Sequence, residues 1–297
     1  MAVGDGGLIA AWNGVRWNRV RAAGIPGSAV LVAVAASSPR NAWAVGFDEN
    51  AGHGNQEPVI ARWNGRVWKR VPSPNPGGES ILNGVTVLSA RDAWAVGFDA
   101  ASYRPLILHW NGRNWKRAAS PGGAGVTLTS VTALSARNAW AAGNGYYNTA
   151  LILHWNGQAW KRVPYPGLAA FSSITAVSAH DAWAAGNGYT SRGAVTGRLI
   201  ARWNGRTWKQ AAFGGGFLHG ITAISARDAW AVGNTSDSAS RPVIMHWNGS
   251  AWKNVPGPAR GDTLTAVAAT SARNAWAVGY TSQYTTLILH WNGTTWK

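Results

Sequence analysis

Apolar residues come in runs of about five, cut by turn residues, and do not recur at the 3.6-residue spacing of a helix. Each such run predicts a short strand. Between residues 85 and 117 the pattern is complete. Val85-Thr-Val-Leu-Ser89 reads as a strand a and Ala90-Arg91-Asp92 as its turn. Ala93-Trp-Ala-Val96 reads as strand b, ended by Gly97. A variable loop leads to strand c, Leu106-Ile-Leu-His-Trp110. Asn111-Gly112 opens a tight hairpin, since both residues tolerate positive φ. Trp115-Lys-Arg117 is strand d, and a connection rich in Pro and Gly follows.

This unit repeats. Trp-Asn-Gly-x-x-Trp occurs seven times, starting at Trp12, Trp63, Trp110, Trp155, Trp203, Trp247 and Trp291. Ala-Trp-Ala-(Val/Ala)-Gly occurs six times, at Trp43, Trp94, Trp140, Trp183, Trp230 and Trp276. These slots use all 20 Trp residues, and the spacing of 43 to 51 residues fits a four-stranded propeller blade. Complete units begin near Val30, Leu82, Leu128, Ser172, Leu218 and Leu264. Residues 1–20 form a partial unit, because Met1-Ala-Val-Gly4 aligns with Trp43-Ala-Val-Gly46 in strand b. The expected fold is all-β: one seven-bladed β-propeller domain over residues 1–297, its first blade incomplete. Six blades with an N-terminal hairpin are the alternative. A start inside strand b also leads us to expect further chain upstream.

The pattern resembles Asp-box repeats of sialidases and other propellers, and the propeller family of photosystem II assembly factors. The shared features are the Ala-Val-Gly strand b and the turn leading to Trp. Asn64 to Trp68 spans four positions where an Asp-box has five, and Asn stands where that box has Asp. The box is a structural hairpin, so this resemblance implies no catalytic residue. The Asp-Ala-Trp-Ala-Val-Gly…His-Trp-Asn-Gly-x-x-Trp signature is also similar to uncharacterised repeats of exported actinobacterial proteins. That likeness implies a bacterial, extracellular or cell-surface setting.

Composition narrows the chemistry. There is no Cys, which excludes disulfides, thiol nucleophiles and Cys-based zinc sites. No run of 18 apolar residues occurs, so no membrane insertion is expected. The chain starts without the basic and apolar regions of a signal peptide. Formal net charge is +16, and strand order distributes it unevenly. The a–b and c–d turns share one face, with 21 basic residues against 3 acidic ones. A basic ring of Arg40, Arg91, Arg137, Arg227 and Arg273 belongs to it. The b–c and d–a loops on the other face carry 6 basic and 8 acidic residues.

Three functions fit. All seven Tyr fall on the loop face: Tyr103, Tyr146, Tyr147, Tyr189, Tyr280 and Tyr284 in b–c loops, Tyr165 in a d–a loop. A flat ring with a hydroxyl suits sugars and protein partners, so a non-enzymatic module or scaffold binding a glycan or protein is the leading reading, acting as a monomer. The basic face offers polyanion binding instead. Loop carboxylates would serve a glycoside hydrolase or lyase, which needs an acid pair. No catalytic residue and no cofactor is assigned. Asp48, Asn50 and Glu57 carry a faint calcium-loop pattern. The 20 Trp, present in every blade, are read as packing.

Overall fold

The structure is a computed structural model that describes residues 1–20, 22–51, 55–74, 79–258 and 261–297. Strands β1 (Ala2–Gly4), β2 (Leu8–Trp12) and β3 (Trp17–Arg19) form a three-stranded sheet. Next come β4 (Ala22–Ala23), β5 (Ala29–Ser38), β6 (Asn41–Ala51), β7 (Asn55–Trp63) and β8 (Trp68–Val71). Here β5 to β8 are strands a to d of blade 2, and β4 adds a parallel fifth strand outside β8. Nothing in the repeat pattern announces that addition.

The a–b–c–d order continues through four more sheets, with strands a at Ser80–Ser89, Thr127–Ser135, Ala169–Ser178 and Phe217–Ser225. In the last sheet strands a, b and c are Asp262–Ser271, Asn274–Thr281 and Thr286–Trp291, and strand d is reduced to the bridge between Trp291 and Trp296. The chain is a seven-bladed β-propeller whose first blade lacks strand a. The hairpin alternative fails, because β1 to β3 keep blade register: Val3 lies opposite Ile9 as Val45 lies opposite Ile60. Two units divide the chain, one of residues 1–141 and 153–162, the other of residues 142–152 and 163–297. No helix among the described residues is long and apolar enough to cross a membrane.

Turn chemistry makes the blades. In each c–d hairpin the Asn side chain accepts two backbone N–H groups, as Asn111 Oδ1 does from Arg113 and Asn114 at 2.9 and 3.0 Å. Only the Gly of the pair is left-handed, φ being +91° at Gly112. Asn is therefore selected for its side-chain oxygen and not, as expected from the sequence, for positive φ. The a–b turn is closed by Ser, whose hydroxyl accepts the N–H of the turn Arg, at 3.1 Å for Ser89 and Arg91. In the six blades that have an a–b turn, the first Trp of the hairpin ties the two turns together: the Trp110 indole donates to Ala90 O at 3.1 Å.

Blades join through indoles. Trp43 of blade 2 packs on Trp110 and Trp115 of blade 3, with centroids 4.8 and 5.0 Å away. Trp94 meets Trp155 and Trp160 in the same way. In the second unit Trp183 meets Trp247 and Trp252, and Trp230 meets Trp291 and Trp296. One contact in each triad is nearly perpendicular, 84° for Trp43 and Trp115, placing a positive ring edge on a negative face.

Candidate functional site

Four of the b–c loops are tight turns built on one design. Tyr103 N donates to Ala100 O, Gly193 N to Thr190 O, Ser240 N to Asp237 O and Tyr284 N to Thr281 O. The fourth residue of each turn is left-handed: φ is +53° at Tyr103, +82° at Gly193, +45° at Ser240 and +56° at Tyr284. Glycine is the natural occupant, and a bulky residue there costs about 1–3 kcal/mol. Tyr147, in a 3-10 turn, is also left-handed at φ +57°. The three strained Tyr are all exposed, Tyr103 at 58%, Tyr147 at 90% and Tyr284 at 87%.

The other Tyr divide. Tyr280 stacks on Tyr284, centroids 5.9 Å apart and planes 14° apart. Tyr146 lies beside Tyr147 at 6.5 Å. Tyr165 packs edge-on against Phe171 at 5.2 Å, and burial raises its phenol pKa. Tyr189 is half-buried at the end of its strand b. Tyr103, Tyr146, Tyr147, Tyr280 and Tyr284 are thus exposed, while Tyr165 packs and Tyr189 is half-buried.

Two of the loop acids, Asp99 and Asp48, are staples. Asp99 is buried, accepts the Ser102 hydroxyl at 2.7 Å and pairs with Arg117 at 3.0 Å. Asp48 is buried and accepts the Ser28 hydroxyl at 2.6 Å and the Asn50 N–H at 3.2 Å. Glu57 lies across the ladder from Asp48. The rest of that stretch, residues 52–54, falls outside the described residues. Among the described residues no three acidic or His side chains assemble as a metal site.

On the turn face, Arg40, Arg91, Arg137, Arg227 and Arg273 are exposed. Their stems lie over the hairpin glycines: a β-carbon on Gly65 would sit 2.7 Å from Arg40 Cγ. The three acids of this face are committed elsewhere, Asp92 to His109, Asp228 to His246 and Asp181 to Arg202.

Sequence reasoning missed a groove of about 530 Å³ in the second unit, lined by Arg198, Phe213, Trp252 and Asn254. Strand d of blade 5 runs on through Gly214 because no Pro interrupts it, and this carries Phe213 to the rim, half-exposed. The signal was present: Arg198 occupies the strand-c slot filled by Pro58, Pro105 and Pro242.

A scan against protein-family models finds no match, and neither does a search of curated proteins. Solved structures do match in fold. YCF48 bound to D1 peptide is 16% identical with a TM-score of 0.64, covering 100% of this chain and 86% of that one. YCF48 from Cyanidioschyzon merolae is 18% identical with a TM-score of 0.65, covering 96% and 89%. The SapL1 lectin in complex with alpha methyl fucoside is 12% identical with a TM-score of 0.60, covering 91% and 94%. The chain is similar to these β-propellers in architecture.

Proposed function

We propose that the chain is a non-enzymatic recognition module that holds a glycan or protein ligand on its b–c loops. The observation that carries this reading is the placement of Tyr103 and Tyr284 at left-handed positions where the sister loop has Gly193. Local stability favours glycine there, so the rings are retained against a backbone cost. Exposed, partly stacked phenols offer flat apolar area and hydroxyls to a sugar or a peptide. Two propellers of similar fold are described with such ligands, a fucoside in the lectin and a peptide in YCF48. An exported setting and a monomeric state belong to the same reading.

The test is a binding screen of the purified chain against polysaccharides and peptides, at low and high salt. Salt-resistant binding that falls at least tenfold when Tyr146 and Tyr147 become Ala supports the reading, and its absence overturns it. Arg40, Arg91, Arg137, Arg227 and Arg273, which pair with no carboxylate among the described residues, favour a second reading, a polyanion on the turn face. Affinity for that ligand would fall steeply with salt and ignore the Tyr substitutions.

A further inference from the structure

The groove between blades 5 and 6 is opened by departures from the repeat. The strand-d residue paired with the strand-c Ile is Val71 in blade 2, Val163 in blade 4 and Val255 in blade 6. Val71 and Val255 pack onto the core cluster that holds the indoles of the following blade. In blade 5 a bulge at Ala211 brings Ala212 opposite Ile200 instead. Only a methyl group then faces blade 6. Trp252 is left partly buried, where Trp68, Trp115, Trp160, Trp208 and Trp296 are buried. Blade 3 carries Ala118 in the same slot, and a groove of about 420 Å³ opens there against Trp155 and Trp160. Among the described residues no charged side chain lines that one.

The groove at Trp252 does hold a cation. Blades 1 to 4 place Arg19, Arg70, Arg117 and Arg162 two residues after the strand-d Trp, whereas blade 6 has Asn254. Arg198, in the slot of a strand-c Pro, reaches toward it. Its Nη1 donates to Gly215 O at 2.6 Å and its Nη2 to Asn254 Oδ1 at 3.5 Å. Gly214 makes room for the head, since a β-carbon there would lie 3.0 Å from Nη2. Nε is buried without an acceptor, and Arg198 pairs with no carboxylate among the described residues. Arg202 also lines the groove, but Asp181 neutralises it through bonds of 2.8 and 2.9 Å. Burial lowers the pKa of Arg198, as it does for a cation stripped of water without a counter-charge.

We propose that this groove binds a carboxylate carried on a ring, with the ring against Trp252 and the carboxylate on Arg198. Trp252 and Asn254 stand two residues apart on one face of strand d, about 7 Å along the strand. Indole and guanidinium head are thereby spaced for a ring and its acid group. The guanidinium fork matches a carboxylate, and the indole face suits a flat or chair-shaped ring. The volume of about 530 Å³ is that of a small-molecule site. Such a ligand is either a uronic acid residue or an aromatic acid. No Tyr lines the groove, so the site stands apart from the b–c loops.

The test is calorimetric titration of the 297-residue chain with trigalacturonate, with its neutral methyl ester and with 2-naphthoate. Saturable binding of at least one acid is expected, and the acid that binds identifies the source. Arg198→Gln should weaken it at least tenfold, and the ester should bind at least tenfold more weakly than trigalacturonate if the sugar is the ligand. Ala212→Val restores the side chain of blades 2, 4 and 6, so it should melt no lower than the wild type yet lose at least tenfold in affinity. Tyr146→Ala and Arg91→Ala should leave binding unchanged, which separates this site from the Tyr loops and from the basic turn face. No saturable binding of either acid overturns the proposal. So does binding that survives both Arg198→Gln and Ala212→Val, or that falls only with Tyr146→Ala or Arg91→Ala.

Discussion

The guanidinium of Arg62 lies 5.3 Å from the ring of Trp110, an indole of the following blade, and 5.1 Å from Trp43 of its own. Arg202 covers Trp183 and Trp247 in the same manner, at 4.4 and 5.4 Å. In both cases the hairpin Trp of the next blade is buried, Trp110 at 4% exposure and Trp247 at 9%. His109 and His246 occupy the same slot but stack on their own Trp94 and Trp230, at 4.1 Å. Trp155 and Trp291, which follow them, stay half-exposed. One residue in strand c thus decides how deeply the next blade's indole is buried.

Arg62→Ala should therefore destabilise the chain by about 1 kcal/mol through lost cation–π contact and stem packing. Arg40→Ala should stay within about 0.5 kcal/mol, because its exposed head has no carboxylate partner among the described residues. Chemical denaturation of the two variants, side by side, checks the contrast.

Trp43→Ala removes the indole that clamps Trp110 and Trp115. A loss of about 3–5 kcal/mol is expected, as for other buried aromatics. A fall in melting temperature no larger than that of Arg62→Ala would show that the triads do not hold the blades.

Tyr284→Gly should raise stability by up to about 1 kcal/mol, because it relieves a left-handed Tyr in the geometry of Gly193. The same change should weaken ligand binding at least tenfold. Calorimetry on the variant, combined with the binding screen, separates strain kept for recognition from strain without consequence.

Acid should loosen the Tyr103 loop. Burial pushes the Asp99 pKa up, but hydrogen bonds from the Ser102 hydroxyl and N–H, with Arg117, outweigh it and hold the carboxyl below its usual range. Its folded pKa is lower than the unfolded value of about 3.9. The stabilisation is therefore present above about pH 4 and lost as pH falls through the folded value. Melting temperatures of wild type and Asp99→Asn, measured from pH 7 to 2, should converge at the acid end.

Burial lowers the pKa of His154, whose ring lies tilted over Trp140 at 4.3 Å and bonds Asn138 at 3.0 Å. Its preference for the neutral ring adds stability above about pH 6.5 that is lost as pH falls through the window down to the folded pKa. Asn138→Asp places a carboxylate beside the ring and should raise the pKa. Imidazole chemical shifts followed against pH report both.

Much of the architecture is legible in the residues themselves. Blade number, the four strands, both turns and the three Trp slots follow from contiguous patterns, because strand alternation and turn geometry are local properties. The seven Tyr were also visible as a set, but Tyr189 and Tyr280, expected in b–c loops, lie at the ends of strands b, and the division among the rest was not visible. Whether a Tyr is strained and exposed, like Tyr284, or packed on a Phe, like Tyr165, depends on turn hydrogen bonds and on neighbours brought in by other strands. The groove at Arg198 went unread because it is made by the absence of a Pro after strand d.

By itself the sequence determined a repeated antiparallel sheet with a basic turn face and an aromatic, acidic loop face. Only the tertiary structure decided which indoles are covered and which acids are already spent on Ser, His or Arg. Those outcomes depend on atoms from two strands or two blades meeting at a few ångströms. A repeat unit read along one strand carries no record of what its neighbour presents.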